Sequence, residues 1–480
     1  MDKFFKIKER GSSVKMEIIG GLTTFFAMAY IVFVNPNQVA GEGATGWLAG
    51  AAADAGIDVA GQLGQIWNSV FVASILGAII GTLLMAFLAN MPYAQACGMG
   101  LNAFFCTCFI SASVFGGVDV VEGYHAGMVI IFVSGLVFLF LSVTGAREYI
   151  AKAMPECLKK AIPAGIGLFI AMIGMKNAGL IQANQYTFVQ FVDIHGGKWA
   201  DYAPAIAAFI GLLLIAVFEK YKIKGSVIIS ILLTTVIYYV FMNQVPSFDV
   251  SAIGQTFRDF GSVGVVGLLD GKAWSDAFVS APVGGVFNAV MLIITFCLVD
   301  MFDTIGTLYG TASQAGMLDE NGDPINVNKS MLCDSIATVC GAALGTSTCT
   351  TFVESSSGVA AGARTGLASV VTSICFALCL FLSPLASMIP SAATAPALIY
   401  VGVLMMKSFA KVDMDDIASA VPAFLALIMM PLTYSIANGI GIGAIAYVII
   451  TLFTGRYQKK DVVITIIAAL FVLKFIFVTM

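Results

Sequence analysis

Read for the alternation of apolar and polar positions, the chain is a succession of apolar runs separated by polar breaks. A first set lies near residues 18–36, 70–90, 94–113, 126–144, 161–181, 203–218 and 225–242. A second lies near 284–308, 330–345, 348–361, 367–389, 394–408, 416–434 and 438–454. About twenty predominantly apolar residues suffice for a helix to cross a bilayer. The pattern therefore predicts an all-α polytopic membrane protein of about 14 transmembrane segments. A further run, "VVITIIAALFVLKFIFV", follows "GRYQKK". Lys474 inside it suggests a helix whose amine snorkels to the interface, with an extra span as the alternative.

Composition excludes the competing class. Of the 480 residues, 59% are hydrophobic and 11% charged, and the mean hydropathy is +0.94. A soluble domain has ~45–50% apolar and ~25% charged residues, so too few charges remain here to cover a large soluble core. The 49 glycines suit membrane helices that approach one another closely. The ten cysteines lie mostly within apolar runs and show no CxxC spacing. They read as small buried hydrophobes rather than a disulfide framework or zinc site.

The net charge of −4 says little, but the placement of the basic residues says more. With "MDKFFKIKERGSSVK" in the cytoplasm, alternation puts "AREYIAKAMPECLKKA", "EKYKIKG", Lys329, Arg364, Lys407, Lys411 and "GRYQKK" on the same side. Nineteen of the 24 Lys and Arg then face inward and four outward, with Lys474 unassigned. This positive-inside bias predicts a plasma (inner) membrane protein with a cytoplasmic N-terminus. The mixed polar and basic first fifteen residues do not resemble a cleavable signal peptide.

Seven segments precede the 243–283 loop and seven follow it. An odd number per half turns the second half over, as in inverted repeats. Weak correspondences run in order. "TTFFAMAYIVFV" lies on "ITFCLVDMFDTI", "AQACGMGLN" on "TSTCTTFVE" (Cys97 on Cys349), and "IPAGIGLFIAMIGMKNAG" on "APALIYVGVLMMKSFAK". The third and tenth segments are rich in Gly, Ser and Thr. As regular spans they would present backbone and hydroxyls to lipid. The physical solution is extended backbone followed by a half-helix at a protein-lined cavity.

Three acids sit inside apolar segments: Asp300 and Asp303 in "ITFCLVDMFDTIG", and Glu354 in "TTFVESSSG". Each opposes insertion by about 2.5–3.5 kcal/mol. Asp300 and Asp303 share a helix face by their spacing. No basic residue occupies the middle of any segment, and Lys176 and Lys407 lie near the ends of theirs. Uncompensated acids call for protons, a cation, or a ligand that donates hydrogen bonds. Asp334 reads instead as a structural acid held by Ser and Thr. His125 and His195 fall in predicted loops and carry no signal. "GEGATG" lacks a strand–turn–helix context, and "DENGDPINVNKS" has Pro324 and Ser330 where a calcium loop needs Gly and Glu. No metal or cofactor is expected, and no nucleotide-binding domain to drive a pump.

Together, "GLTTFFAMAYIVFVNP", "LVDMFDTIGTLYG" and "STCTTFVESSSGVAAGARTGL" resemble the nucleobase–cation symporter family, in its AzgA-like guanine/hypoxanthine/adenine permease branch. The resemblance covers essentially the whole chain. It implies two inverted repeats of seven segments, with short strands in segments 3 and 10 holding the substrate between them. It implies core segments over 1–158 and 284–391, gate segments over 159–245 and 392–480, an extracellular connector over 246–283, and a homodimer. Carried over by residue, the family's acids fall on Asp303 and Glu354, with Asp300 one turn before Asp303. Its polar residue of the third segment falls on Asn102, and a position that varies with substrate falls on Thr307. Only Asp303 aligns with the acid of the broader superfamily, so the substrate contact is open between Asp300 and Asp303.

The chemistry fits. A neutral oxopurine offers adjacent N–H donors that one carboxylate accepts bidentately, and such charge-assisted bonds are about twice as strong as neutral ones. Phe26, Phe105 or Phe352 is a candidate to cover the ring. Asp300, Asp303 and Glu354 are the candidates for a coupled proton. The expectation is a non-enzymatic transporter importing guanine and hypoxanthine, with adenine as a further substrate. Its mechanism is expected to be H⁺-coupled symport by elevator-type movement, with lipid and no nucleic acid as partner. A carrier of another nucleobase or a small anion, or an ion channel, is the alternative.

Overall fold

The computed structural model describes residues 2–41, 59–145, 154–184, 186–246, 248, 251–279, 283–315, 317–320 and 324–477. Residues 42–46 of "GEGATG", Arg147, Lys152 and residues 321–323 lie outside that set. Helices α1 (Val14–Met28) and α2 (Ile31–Ala40) follow one another, separated at Ala29–Tyr30. Then come α3 (Val59–Leu84), strand β1 (Gln95–Cys97) and α4 (Met99–Phe105), which continues into a π-helical turn at Cys106–Ser111. α5 (Val120–Thr144), α6 (Glu156–Asn177), the hairpin β2 (Ile181–Asn184) and β3 (Phe188–Phe191), α7 (Trp199–Lys220) and α8 (Ser226–Met242) complete the first half. The second half holds α9 (Val286–Ala315), α10 (Val327–Leu344), β4 (Cys349–Thr351), α11 (Ser355–Ala360) and α12 (Gly366–Cys379). It ends with α13 (Ser391–Met405), α14 (Ile417–Leu432), α15 (Ile436–Phe453) and α16 (Val462–Phe477).

Among the described residues, eight helical stretches are long and apolar enough to cross a membrane, and four shorter helices are apolar throughout. The mostly helical, polytopic architecture expected from the apolar runs is present. α3, α9 and α10 pack on β1 and β4, with α5 against α10 and with α1 and α12 against one another and α12 on α3, whereas α6, α7, α8, α13, α14 and α15 pack on one another. The two groups meet where α6 touches α4 and α9, where α8 touches α1, and where α2 touches α13. Glycines set the closest crossings. A Cβ at Gly358 would lie 2.1 Å from Thr24 Oγ1 and 2.5 Å from the Gly20 carbonyl oxygen, so α11 and α1 touch backbone to backbone. A Cβ at Gly402 would lie 2.4 Å from the Gly167 carbonyl, which seats α13 on α6 in the same way.

β1 and β4 pair antiparallel, with Gln95 opposite Thr351, Ala96 opposite Thr350 and Cys97 opposite Cys349. All six residues are buried. The ladder is extended by Gly98 N–H to the Thr348 carbonyl and Phe352 N–H to the Ala94 carbonyl, both at 3.0 Å. These two bonds interchange when residues 94–98 are laid on 348–352. Thr82 bonds the backbone of Gln95 as Thr338 bonds that of Cys349, so the local two-fold that keeps both features equates Gln95 with Cys349 and Cys97 with Thr351. The alignment of Cys97 on Cys349 is two residues out of register. The cysteines are cross-strand neighbours, their Sγ atoms 3.9 Å apart.

Other expectations are corrected. His125 lies in α5, not a loop; it is buried, and its Nε2 is 2.7 Å from the Val263 carbonyl. The connector carries two short helices, Ala252–Asp259 and Gly271–Phe278, that pack on α3 and α5 respectively. α16 packs along α15, with Phe471 over Gly441. Lys474 is buried rather than snorkelling.

The Gly20–Gly358 crossing leaves no room for a side chain. Gly358→Val is expected to cost about 3 kcal/mol, the upper end for overpacking, read as a lowered Tm and poor recovery of monodisperse protein in detergent. Gly64→Ala in α3, where an added Cβ meets nothing within 4 Å, is expected to hold or raise Tm, by about 0.5–1 kcal/mol at most.

Candidate functional site

The polar residues of α9 divide between two faces. Asp300 and Thr304, one turn apart, face α10 and β4. The Thr338 hydroxyl of α10 lies 2.9 Å from Asp300 Oδ2. The Thr304 hydroxyl donates to Asp334 Oδ2 and lies 2.9 Å from Thr350 Oγ1. Asp334, wholly buried in α10, also accepts from Gln95 Nε2 at 3.0 Å and Thr351 Oγ1 at 3.1 Å. It thus ties α9, β1 and β4 to α10, the structural part its sequence setting suggested.

Asp303 and Thr307, also one turn apart, share a face with the exposed Gly306 between them, and both are half-buried. Asp303 lies within Coulombic reach of Glu354. Glu354 stands immediately before α11 and is half-buried; the Tyr30 hydroxyl, at the break between α1 and α2, donates to its Oε1 at 2.5 Å. Tyr400 of α13 hydrogen-bonds Glu219 and is within electrostatic reach of both Tyr30 and Glu354. One residue of the second helix group therefore approaches the acids.

Asn102 is wholly buried in α4. Its Nδ2 donates to Asn35 Oδ1 at 2.7 Å, and its Oδ1 accepts from the Ser347 hydroxyl. It locks α4 to α2 and to the turn before β4. The structure thus sets Asp303 within Coulombic reach of Glu354, as it also is of Asp300 and Asp334, places Thr307 beside Asp303, turns Asp300 toward Asp334, and ties Asn102 into the scaffold. Of the aromatic candidates, Phe26 is exposed on the outer surface and Phe105 is packed against Phe109 and Tyr124. Phe352 is buried two residues before Glu354.

Both strand edges are closed by a hydroxyl. Thr82 Oγ1 accepts from Gln95 N–H at 3.0 Å and lies 3.2 Å from its carbonyl. Thr338 Oγ1 accepts from Cys349 N–H at 3.1 Å and lies 3.0 Å from its carbonyl. Salt bridges among the described residues join Lys6 to Glu9, Lys159 to Glu156, Lys272 to Glu122 and Arg456 to Asp416. None involves Asp300, Asp303, Asp334 or Glu354.

Sequence reasoning missed Tyr30, Asn35, Gln95, Thr338 and Tyr400. Tyr30 and Asn35 stand within a quoted motif as polar groups in an apolar run, a signal left unread. The other three take their meaning from contacts between distant segments.

A polytopic helical bundle with two short strands crossing inside it, and acids without cations beside the crossing, has the construction of a membrane transporter. Comparison with known proteins gives the family. The chain matches the permease family Xan_ur_permease over residues 15–442 and belongs to it. It is an integral membrane permease and not an enzyme. It is 42% identical over 480 residues to the guanine/hypoxanthine permease PbuG of Bacillus subtilis, covering 99% of this chain and 100% of PbuG. It is 37% identical to the adenine permease AdeP of Escherichia coli, covering 100% of this chain and 96% of AdeP. Among solved structures, the transmembrane domain of the cyanobacterial bicarbonate transporter BicA superposes with a TM-score of 0.57 at 14% identity, covering 88% of this chain and 97% of that one. At that identity the likeness concerns the fold alone.

Thr338→Val keeps the shape of the side chain but strands the Cys349 N–H and one Asp300 oxygen without a partner. It is expected to cost about 2–4 kcal/mol, since each unsatisfied buried group costs about 1–3. Thr338→Ser is expected to restore most of the loss in the same thermal melt.

Proposed function

We infer that this chain imports purine nucleobases, guanine and hypoxanthine first and adenine as a further substrate, by H⁺-coupled symport. The observation that carries the reading is the Asp303–Glu354 pair, two acids with no cationic partner among the described residues, beside paired strands in a lipid-embedded fold. A carboxylate there accepts two adjacent N–H donors of a flat heterocycle, and such a group needs no counter-ion of its own. Relatives that share 37–42% of their residues over nearly full length carry guanine/hypoxanthine or adenine permease names, which supports the substrate class.

In this reading Glu354 and Asp303 bind the purine, with Thr307 beside Asp303 tuning which purine is accepted. Asn102 and Asp300 hold the surrounding frame, and the coupled proton resides on the acids Asp300, Asp303 and Glu354. The helices around the strands act as the core and the others as the gate, over fourteen segments with the N-terminus in the cytoplasm of a plasma-membrane homodimer. Relative sliding of core and gate carries the site across. An anion carrier on the same fold is disfavoured, because at the Asp303–Glu354 pair its substrate would meet carboxylates that form no salt bridge among the described residues.

Uptake of labelled guanine and hypoxanthine in a host lacking purine transport tests this. Glu354→Ala and Asp303→Ala are each expected to lower uptake about 100-fold, the equivalent of about 3 kcal/mol for a pair of bonds to a charged group. Wild-type rates in both would remove these residues from the site. A proton uncoupler is expected to abolish accumulation while sparing exchange of internal for external purine; accumulation that survives it but needs Na⁺ would assign the other ion.

A further inference from the structure

A second polar hollow lies away from the acids, in the seam between the two helix groups. Gln38 of α2, Cys106, Thr107 and Ser111 of the turn after α4, Lys176 of α6, and Tyr434 between α14 and α15 all line it. Its volume is about 10 Å³, room for a single water. Gln38 is only 2% exposed, and neither its Nε2 nor its Oε1 has a hydrogen-bond partner among the described residues. A primary amide buried in that way is destabilising unless something arrives to bond it. Lys176 Nζ stands 4.9 Å over the Tyr434 ring centre and 3.4 Å from its hydroxyl.

The hollow continues a polar line. Asn35 and Gln38 share a face of α2 by their spacing, and Asn35 bonds Asn102. From Asn102 the same helix and its π-turn present Cys106, Thr107 and Ser111 toward the seam. The line thus runs from the scaffold around the strands to the ends of α2, α4 and α6, which the distribution of basic residues sets on the side away from the cytoplasm.

From this arrangement we propose that the seam is an outer subsite for the same heterocycle, read by Gln38 and Lys176 before it reaches the acids. The proposal rests on the purine reading. A primary amide carries a donor and an acceptor side by side, which match the C=O/N–H edge of an oxopurine or the amino/ring-nitrogen edge of adenine through two parallel bonds, as amides do with adenine in nucleic acids. The Lys176 ammonium is a donor only and takes a ring nitrogen or oxo group. The two stations differ in chemistry: the acids read donors, whereas the seam also reads acceptors. In the present state the seam is shut to anything larger than water, so it admits a purine only when the two helix groups part.

Two variants test this, Gln38→Leu and Lys176→Met, using initial uptake of labelled hypoxanthine by cells and equilibrium binding to the detergent-solubilised protein. In each, kcat/KM for uptake is expected to fall about tenfold, the loss of one or two hydrogen bonds. The Kd of the solubilised protein should stay within about twofold of wild type, because the acids are untouched. Wild-type kcat/KM in either variant overturns the proposal, as does a Kd that weakens in step with KM, which would make both residues supports of the acidic site. Should Gln38→Leu fail to accumulate, Lys176→Met at the rim decides alone. Wild-type protein that neither binds nor carries hypoxanthine removes the purine reading itself, so the two failures are distinguishable.

Discussion

A peptide group inside a bilayer has no water to bond, and this chain places two stretches of non-helical backbone there. Everything around the β1–β4 crossing answers that constraint. Two three-residue strands satisfy each other along one edge, and on the other the hydroxyls of Thr82 and Thr338 meet the outward N–H and C=O of Gln95 and Cys349. Both threonines come from helices that flank the crossing, and each serves the residue that the local two-fold makes equivalent. The Gly, Ser and Thr content of these stretches follows: small residues let helices close over the strands, and hydroxyls complete their bonding.

The same frame explains why the acids divide. Asp334 receives donors from three elements and holds the strand pair to α9 and α10. Asp300 leans on that network through Thr338. Asp303 and Glu354 lie on the other side, half-buried, with Tyr30 as the phenol on Glu354. Four carboxyls within a few turns of one another thus separate into a pair that builds and a pair that faces the helix group carrying Tyr400. Their spacing on α9, with Asp300 and Thr304 on one face and Asp303 and Thr307 on the next, is what a helical period imposes on this stretch of sequence.

Much of this was legible in the chain. Apolar runs placed the helices, and the excess of small polar residues in two corresponding runs marked where regular helix gives way to strand. The absence of a lysine or arginine in mid-segment singled out the acids. What stayed hidden depends on register across segments far apart in sequence. The two-residue slip between Cys97 and Cys349 arose because composition cannot fix register where side chains are small. Asn102 is a candidate through the family resemblance alone, and its hydrogen bonds to Asn35 and Ser347 join segments that the sequence does not place side by side. His125 entered α5 because helical structure begins at Val120, before the strongly apolar stretch.

In the proposed function the Tyr30–Glu354 contact limits how firmly a substrate is held. The phenol already occupies one acceptor site on Oε1, so a substrate that takes both oxygens shares that oxygen with Tyr30 and gains less than it would from a bare carboxylate. The vacant and loaded forms are thereby brought nearer in energy. A carrier that must let go of its cargo on the far side, and return without it, works fastest when neither leg of the cycle begins from a deep well.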